Sequence, residues 1–65
     1  MNERGTSVLK AAVEEYIKTG QPVSSLQLYR DFDFGIKPAM IRFELHDLAE
    51  AGFLYQPHIS AGRLP

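Results

Sequence analysis

Sixty-five residues without a cysteine leave room for one domain and one thin core, and exclude a disulfide framework or a cysteine-ligated zinc. With 45% hydrophobic and 23% charged residues the mix is that of an ordinary globular chain, and no stretch approaches the roughly 18 apolar residues of a membrane span. A formal net charge of −1 argues against a non-specific polyanion binder, which carries a basic excess.

The opening segment, Met1 to Gly5, carries Asn2, Glu3 and Arg4 and no apolar run, so it does not read as a signal peptide. The expectation is a cytoplasmic protein of bacterial type. Charge is more telling in its distribution than in its sum. Residues 37–43 hold Lys37 and Arg42 and no acid, and residues 51–65 hold Arg63 and no acid.

The first predicted element is a helix over about 3–19, on the spacing of Val8, Leu9, Ala12, Val13, Tyr16 and Ile17. Asn2 and Thr6 are both candidates for its N-cap, and Gly20 followed by Pro22 stops it. Glu14 and Glu15 read as adjacent solvent-side acids that aid solubility. A second, short helix over about 25–32 begins at Ser24, which with Gln27 forms an S-x-x-Q capping box; Leu28 and Phe32 are its inner face. Asp33, Phe34 and Gly35 make the turn that follows.

The third helix is predicted from Pro38 to about Ala51. Proline suits the first helical position, and Gly52 suits the closing one. Ile41, Leu45 and Leu48 share its inner face; Ala39, Phe43, His46 and Glu50 lie opposite, with Arg42 on the flank. Phe53 to Gln56 then reads as a strand, His58 to Gly62 as a turn, and Arg63 to Pro65 as the start of a return strand, an open end that suggests a boundary in a longer chain. Three helices, a tight turn between the last two, and a hairpin make a winged helix-turn-helix: mainly α with a small β-wing, incomplete at the C-terminus, over residues 1–65. The third helix of such a unit lies in the major groove of DNA.

The outward side chains fit that role unevenly. Lys37 precedes the third helix where a Ser or Asp would cap it, and its charge opposes the helix dipole unless a phosphate sits nearby. Arg42 reads either as a surface partner of Asp47 or Glu50 or as a phosphate or guanine contact. Phe43 reads as a gap filler against the second helix near Leu26, as an apolar contact with a thymine methyl, or as part of a partner surface. His46 and His58 stand twelve residues apart without ligand-spaced companions, so no metal is expected. Ser60-Ala61-Gly62-Arg63 lacks the Gly-Lys-Ser/Thr of a phosphate-binding loop, and no nucleophile has a base beside it. Neither a cofactor nor an enzyme is expected.

The run Pro38-Ala39-x-Ile41-Arg42-x-Glu44-x-x-Asp47-Leu48-x-x-x-Gly52-Phe53-Leu54, then Gln56-Pro57-His58-x-Ser60-Ala61-Gly62-Arg63-x-Pro65, resembles the N-terminal domain of the HrcA family of heat-inducible transcription repressors. Asn2-Glu3-Arg4 and Val13-Glu14-x-Tyr16-Ile17-x-Thr19-Gly20-x-Pro22-Val23 are similar too. The resemblance implies a bacterial stress-response repressor that binds an inverted-repeat operator upstream of heat-shock chaperone genes as a homodimer, linked to the GroEL chaperonin through regions outside this chain. It puts Pro38, Ala39 and Arg42 at the groove, and His58, Ser60, Gly62 and Arg63 in the wing. This chain departs from the family pattern at Leu26, Lys37, Met40 and Phe43, where a basic residue, Ser, Thr and Asn are usual.

Two functional readings follow. In the first, double-stranded DNA is bound by Lys37, Pro38, Ala39, Met40, Arg42, Phe43 and His46 of the third helix. Ser24, Ser25 and Gln27 of the second helix reach phosphate, and His58, Ser60 and Arg63 of the wing reach the backbone or minor groove. In the second, the module has lost DNA binding and docks a protein through Leu26, Met40 and Phe43. Neither involves a membrane.

Overall fold

The computed structural model describes residues 1–58 and 62–65, and comprises three helices, α1 (Glu3–Thr19), α2 (Ser25–Asp31) and α3 (Pro38–Glu50). Asn2 is the cap of α1: the Gly5 amide donates to its Oδ1 at 2.7 Å. Thr6 lies inside the first turn, its hydroxyl donating to the Asn2 carbonyl. The capping box of α2 is formed, with the Gln27 amide donating to Ser24 Oγ at 3.1 Å and the Ser24 amide donating to Gln27 Oε1 at 3.5 Å. This helix closes one residue before its predicted end, because Phe32 turns extended at φ −133°. Phe32 then stacks on Phe34 with ring centroids 5.9 Å apart, and both pack half-buried against the core.

Lys37 occupies the N-cap of α3 with no side-chain hydrogen bond, and Pro38 follows in the first turn. At the far end Gly52 adopts φ 88°. Its amide donates to the Ala49 carbonyl while the Phe53 amide donates to that of Leu48, so two orphan carbonyls of α3 are satisfied in one left-handed turn.

α3 packs against both α1 and α2. The core between them holds Val8, Ala11, Ala12, Val23, Leu28, Ile41, Leu45, Leu48 and Leu54. The predicted inner stripe of α1 needs correction at its ends. Ile17 is 77% exposed, and Glu15, expected in solvent, is 3% exposed. Helical geometry is the reason: Gly5, Val8, Ala12 and Glu15 follow one another at three- and four-residue steps, and Ile17 falls on the far side.

The strands predicted after α3 are reduced to single rungs. Tyr55 and Leu64 exchange two backbone hydrogen bonds (2.7 and 2.8 Å), and Arg63 exchanges two with Val23 (both 2.8 Å), in the link between α1 and α2. Phe53 and Leu54 cannot join a ladder, because both amides turn back to the Leu48 carbonyl. Of the predicted turn, Ile59, Ser60 and Ala61 lie outside the described residues. Gly62 is held against the main chain of Val23 so closely that a Cβ there would stand 2.4 Å from the Val23 carbonyl oxygen. Only glycine permits this approach.

Candidate nucleic-acid interface

Turning Ile41, Leu45 and Leu48 inward presents the opposite side of α3 to solvent. There Ala39, Arg42, Phe43 and His46 line an open hollow of about 310 Å³, and Arg63 closes it from the C-terminal segment. The backbone rung to Val23 fixes where Arg63 enters. Five of the sequence-predicted site residues thus converge from two parts of the chain, and the lining includes two arginines and no acid.

The acids of α3 lie elsewhere. Glu44, 8% exposed, turns inward and accepts from Arg4 Nε at 2.7 Å. Asp47 borders a separate hollow with Met1 and Phe53. Glu50 faces the His46 imidazole at 3.7 Å, an ion pair when that ring is protonated. Neither acid pairs with Arg42, which has no ion pair among the described residues. Arg63 Nε is buried without a hydrogen-bond partner. The buried Arg63 Nε carries a desolvation cost that an acceptor reaching it would relieve, whereas the exposed Arg42 guanidinium stays hydrated and free to pair.

Phe43 is 62% exposed and Leu26 64%, so the expected packing of Phe43 against Leu26 as a gap filler does not occur. Leu26 and Met40 are exposed as well but do not line the hollow with Phe43. Lys37 is exposed beyond the N-terminus of α3, in an open surface depression with Tyr29, Arg30 and Asp33. His58 is exposed, and Ser60 lies outside the described residues.

The start of α2 offers less than expected. Ser25 is buried, and Ser24 is engaged in the cap. Gln27 holds the other half of the capping box and donates from Nε2 to Glu15 Oε2 at 2.9 Å. Sequence reasoning missed this buried Glu15 and the Arg4–Glu44 pair, although the signal was present: both glutamates sit on the core stripes of their helices. Beside Glu15, the exposed Asp31 carboxyl is held below its ordinary range, first by a hydrogen bond with the Glu15 side chain and then by Arg30 and Lys18, against some opposing desolvation. No group of three His, Cys, Asp or Glu residues among the described residues could hold a metal ion.

This arrangement defines a small, mainly helical unit that presents one face of its third helix. A crystal structure of a hypothetical protein superposes on the whole of it with a TM-score of 0.94 at 40% identity, using 21% of that longer chain. No protein-family model matches. Curated relatives do: the heat-inducible transcription repressors HrcA of Desulfitobacterium hafniense and Moorella thermoacetica are each 51% identical over all 65 residues, and that of Synechocystis sp. is 46% identical over the same span. The chain belongs to the HrcA family and corresponds to its N-terminal region. It spans 19% of the first two relatives and 17% of the third. These relatives are named as repressors of transcription, not as enzymes. Among the described residues no helix is long and apolar enough to cross a membrane.

Proposed function

We propose that this chain is a winged helix-turn-helix unit that binds double-stranded DNA in a sequence-specific manner, with α3 in the major groove. The observation that carries the reading is the acid-free hollow on α3, where Arg42 and an incompletely satisfied Arg63 flank Phe43 and His46. Guanidinium forks match phosphate oxygens and the acceptor edge of guanine alike. Lys37, uncapped at the start of α3, fits a phosphate lying against the first amides of the helix. In this reading the rungs at Tyr55–Leu64 and Val23–Arg63 are the base of the wing. At the start of α2, Ser25 is buried and Ser24 and Gln27 are both committed to the capping box, so the reading rests on α3 and Arg63.

The role extends to a cytoplasmic repressor of heat-shock genes that reads an inverted-repeat operator as a homodimer. Dimerisation and any chaperonin link fall to segments outside this chain. The rival reading, docking of a protein through Leu26, Met40 and Phe43, draws on the exposure of those side chains.

Titration of labelled duplex at about 50 mM and again at about 200 mM salt separates the two. DNA binding weakens steeply with salt, in proportion to the phosphates contacted, and Arg42→Ala or Arg63→Ala weakens it further. The measurement includes two copies joined by a flexible linker, because a second half-site adds affinity only to a dimer. Absence of binding at low salt, by the chain and by its tandem form, to operator and random duplex alike, overturns the proposal.

A further inference from the structure

Resting on the DNA reading above, we infer that the α3 hollow is a thymine-selective pocket in which Phe43 recognises the 5-methyl group. The hollow combines two kinds of wall. Phe43 offers an exposed aromatic surface, and Ala39, one turn earlier on the same face, is small enough to let a base edge approach. Arg42 and Arg63 supply donors at its rim and no acceptor. A complementary base edge must therefore bring an apolar group and an acceptor together.

In the major groove thymine alone presents that pair, a methyl at C5 beside the O4 acceptor. Cytosine turns an amino donor to the groove, which would meet either arginine donors or the apolar ring. Guanine satisfies an arginine but leaves Phe43 without an apolar partner. The lining contains no carboxylate to accept from cytosine or adenine amino groups, and its one side-chain acceptor is a neutral His46 ring, so the pocket is weighted against both.

The test is selection of binding sites from a randomised duplex pool, followed by replacement of each selected thymine, one at a time, with deoxyuridine. That change removes a single methyl and leaves base pairing intact. Thymine is expected to be enriched in the half-site, and at one position deoxyuridine should weaken binding about fourfold, as for one buried methyl-sized group. Phe43→Ala should bind the thymine and deoxyuridine duplexes equally, while Phe43→Leu should keep part of the preference. Thermal melting of both variants should match the parent, since Phe43 is exposed. Parent binding that is indifferent to deoxyuridine at every position overturns the inference and leaves the DNA reading intact. So does a Phe43→Ala variant with its thymine preference undiminished. Failure to select or bind any duplex instead removes the DNA reading itself, and this inference with it.

Discussion

The charged groups on the two sides of α3 live under different rules. On the inner side Glu44 is buried and takes a 2.7 Å hydrogen bond from Arg4, and on neighbouring α1 the buried Glu15 receives Gln27 Nε2 at 2.9 Å on one oxygen, while its other oxygen has no hydrogen-bond partner and only Lys18 Nζ at 3.6 Å. On the outer side Arg42 has no ion pair among the described residues and Arg63 Nε has no hydrogen-bond partner. Inner charges therefore tie elements of the fold together: α1 to α3 through Arg4–Glu44, and α1 to the cap of α2 through Glu15–Gln27. Of the outer charges, His46 faces Glu50 on its own helix, while Arg42 pairs with no acid among the described residues and is available to a ligand. If this division is right, changes on the two sides fall on different observables, stability for the first and affinity for the second.

Gly62→Ala attacks the one place where scaffold and outer face meet, and has the largest expected effect. A Cβ placed 2.4 Å from a backbone carbonyl cannot be accommodated by rotating a side chain. Residues 62–64 must leave Val23 and Tyr55 and give up four backbone hydrogen bonds, which costs about 2–4 kcal/mol in a chain of small total stability. Arg63 is withdrawn from the hollow at the same time, so duplex affinity falls at least as far as in Arg63→Ala. Melting monitored by circular dichroism, paired with duplex titration below the melting temperature, reads both losses. A Gly62→Ala variant that melts like the parent would remove the role given to this segment.

Arg4→Ala and Arg42→Ala test the division directly. The first strands the buried Glu44 carboxylate and is expected to cost about 1–3 kcal/mol, a fall of several degrees in Tm for a domain of this size. The second is expected to stay within about 0.5 kcal/mol of the parent while weakening duplex binding. Equal destabilisation by the two would mean that Arg42 is tied into the fold after all.

Much of the scaffold was legible in the sequence because it is written in local chemistry. The Ser24–Gln27 box, Pro38 and Gly52 act on amides and carbonyls within a few residues, so they announce the helix ends they form. The composition of the hollow was half legible. Helical phase put Ala39, Arg42, Phe43 and His46 outward, but only the Val23–Arg63 rung, spanning 40 positions of chain, brings Arg63 among them. Glu15 was misread because residue type was allowed to outweigh phase. A carboxylate on the core stripe is buried wherever a donor meets it, and here the donor, Gln27, comes from another helix. The expected strands failed for a comparable reason: the amides of Phe53 and Leu54 were needed to close α3.

Ser24→Ala is the next smaller effect. It removes the Oγ acceptor for the Gln27 amide and should cost about 1 kcal/mol. Its consequences should appear in the melting temperature and leave the salt slope of duplex binding unchanged, since that slope counts phosphates contacted by basic groups. A reduced slope in this variant would move Ser24 from the scaffold to the interface.

The smallest effect belongs to Asp31, which stands at the border between the two regimes: itself exposed, yet next to the buried Glu15 side chain and facing Arg30 at 3.3 Å. These neighbours hold its carboxyl below the ordinary range in the folded state. A carboxyl of lowered folded-state pKa contributes stability that is fully present above its unfolded value, near 3.8, and is lost as the pH falls through the lower folded value. Every other carboxyl also titrates in acid, so the informative quantity is the difference in melting temperature between the parent and Asp31→Asn. That difference should be constant from neutrality to about pH 5, and then shrink progressively as acid protonates Asp31. A difference that held level through the acid range would show that the Asp31 charge adds nothing to the stability of the fold.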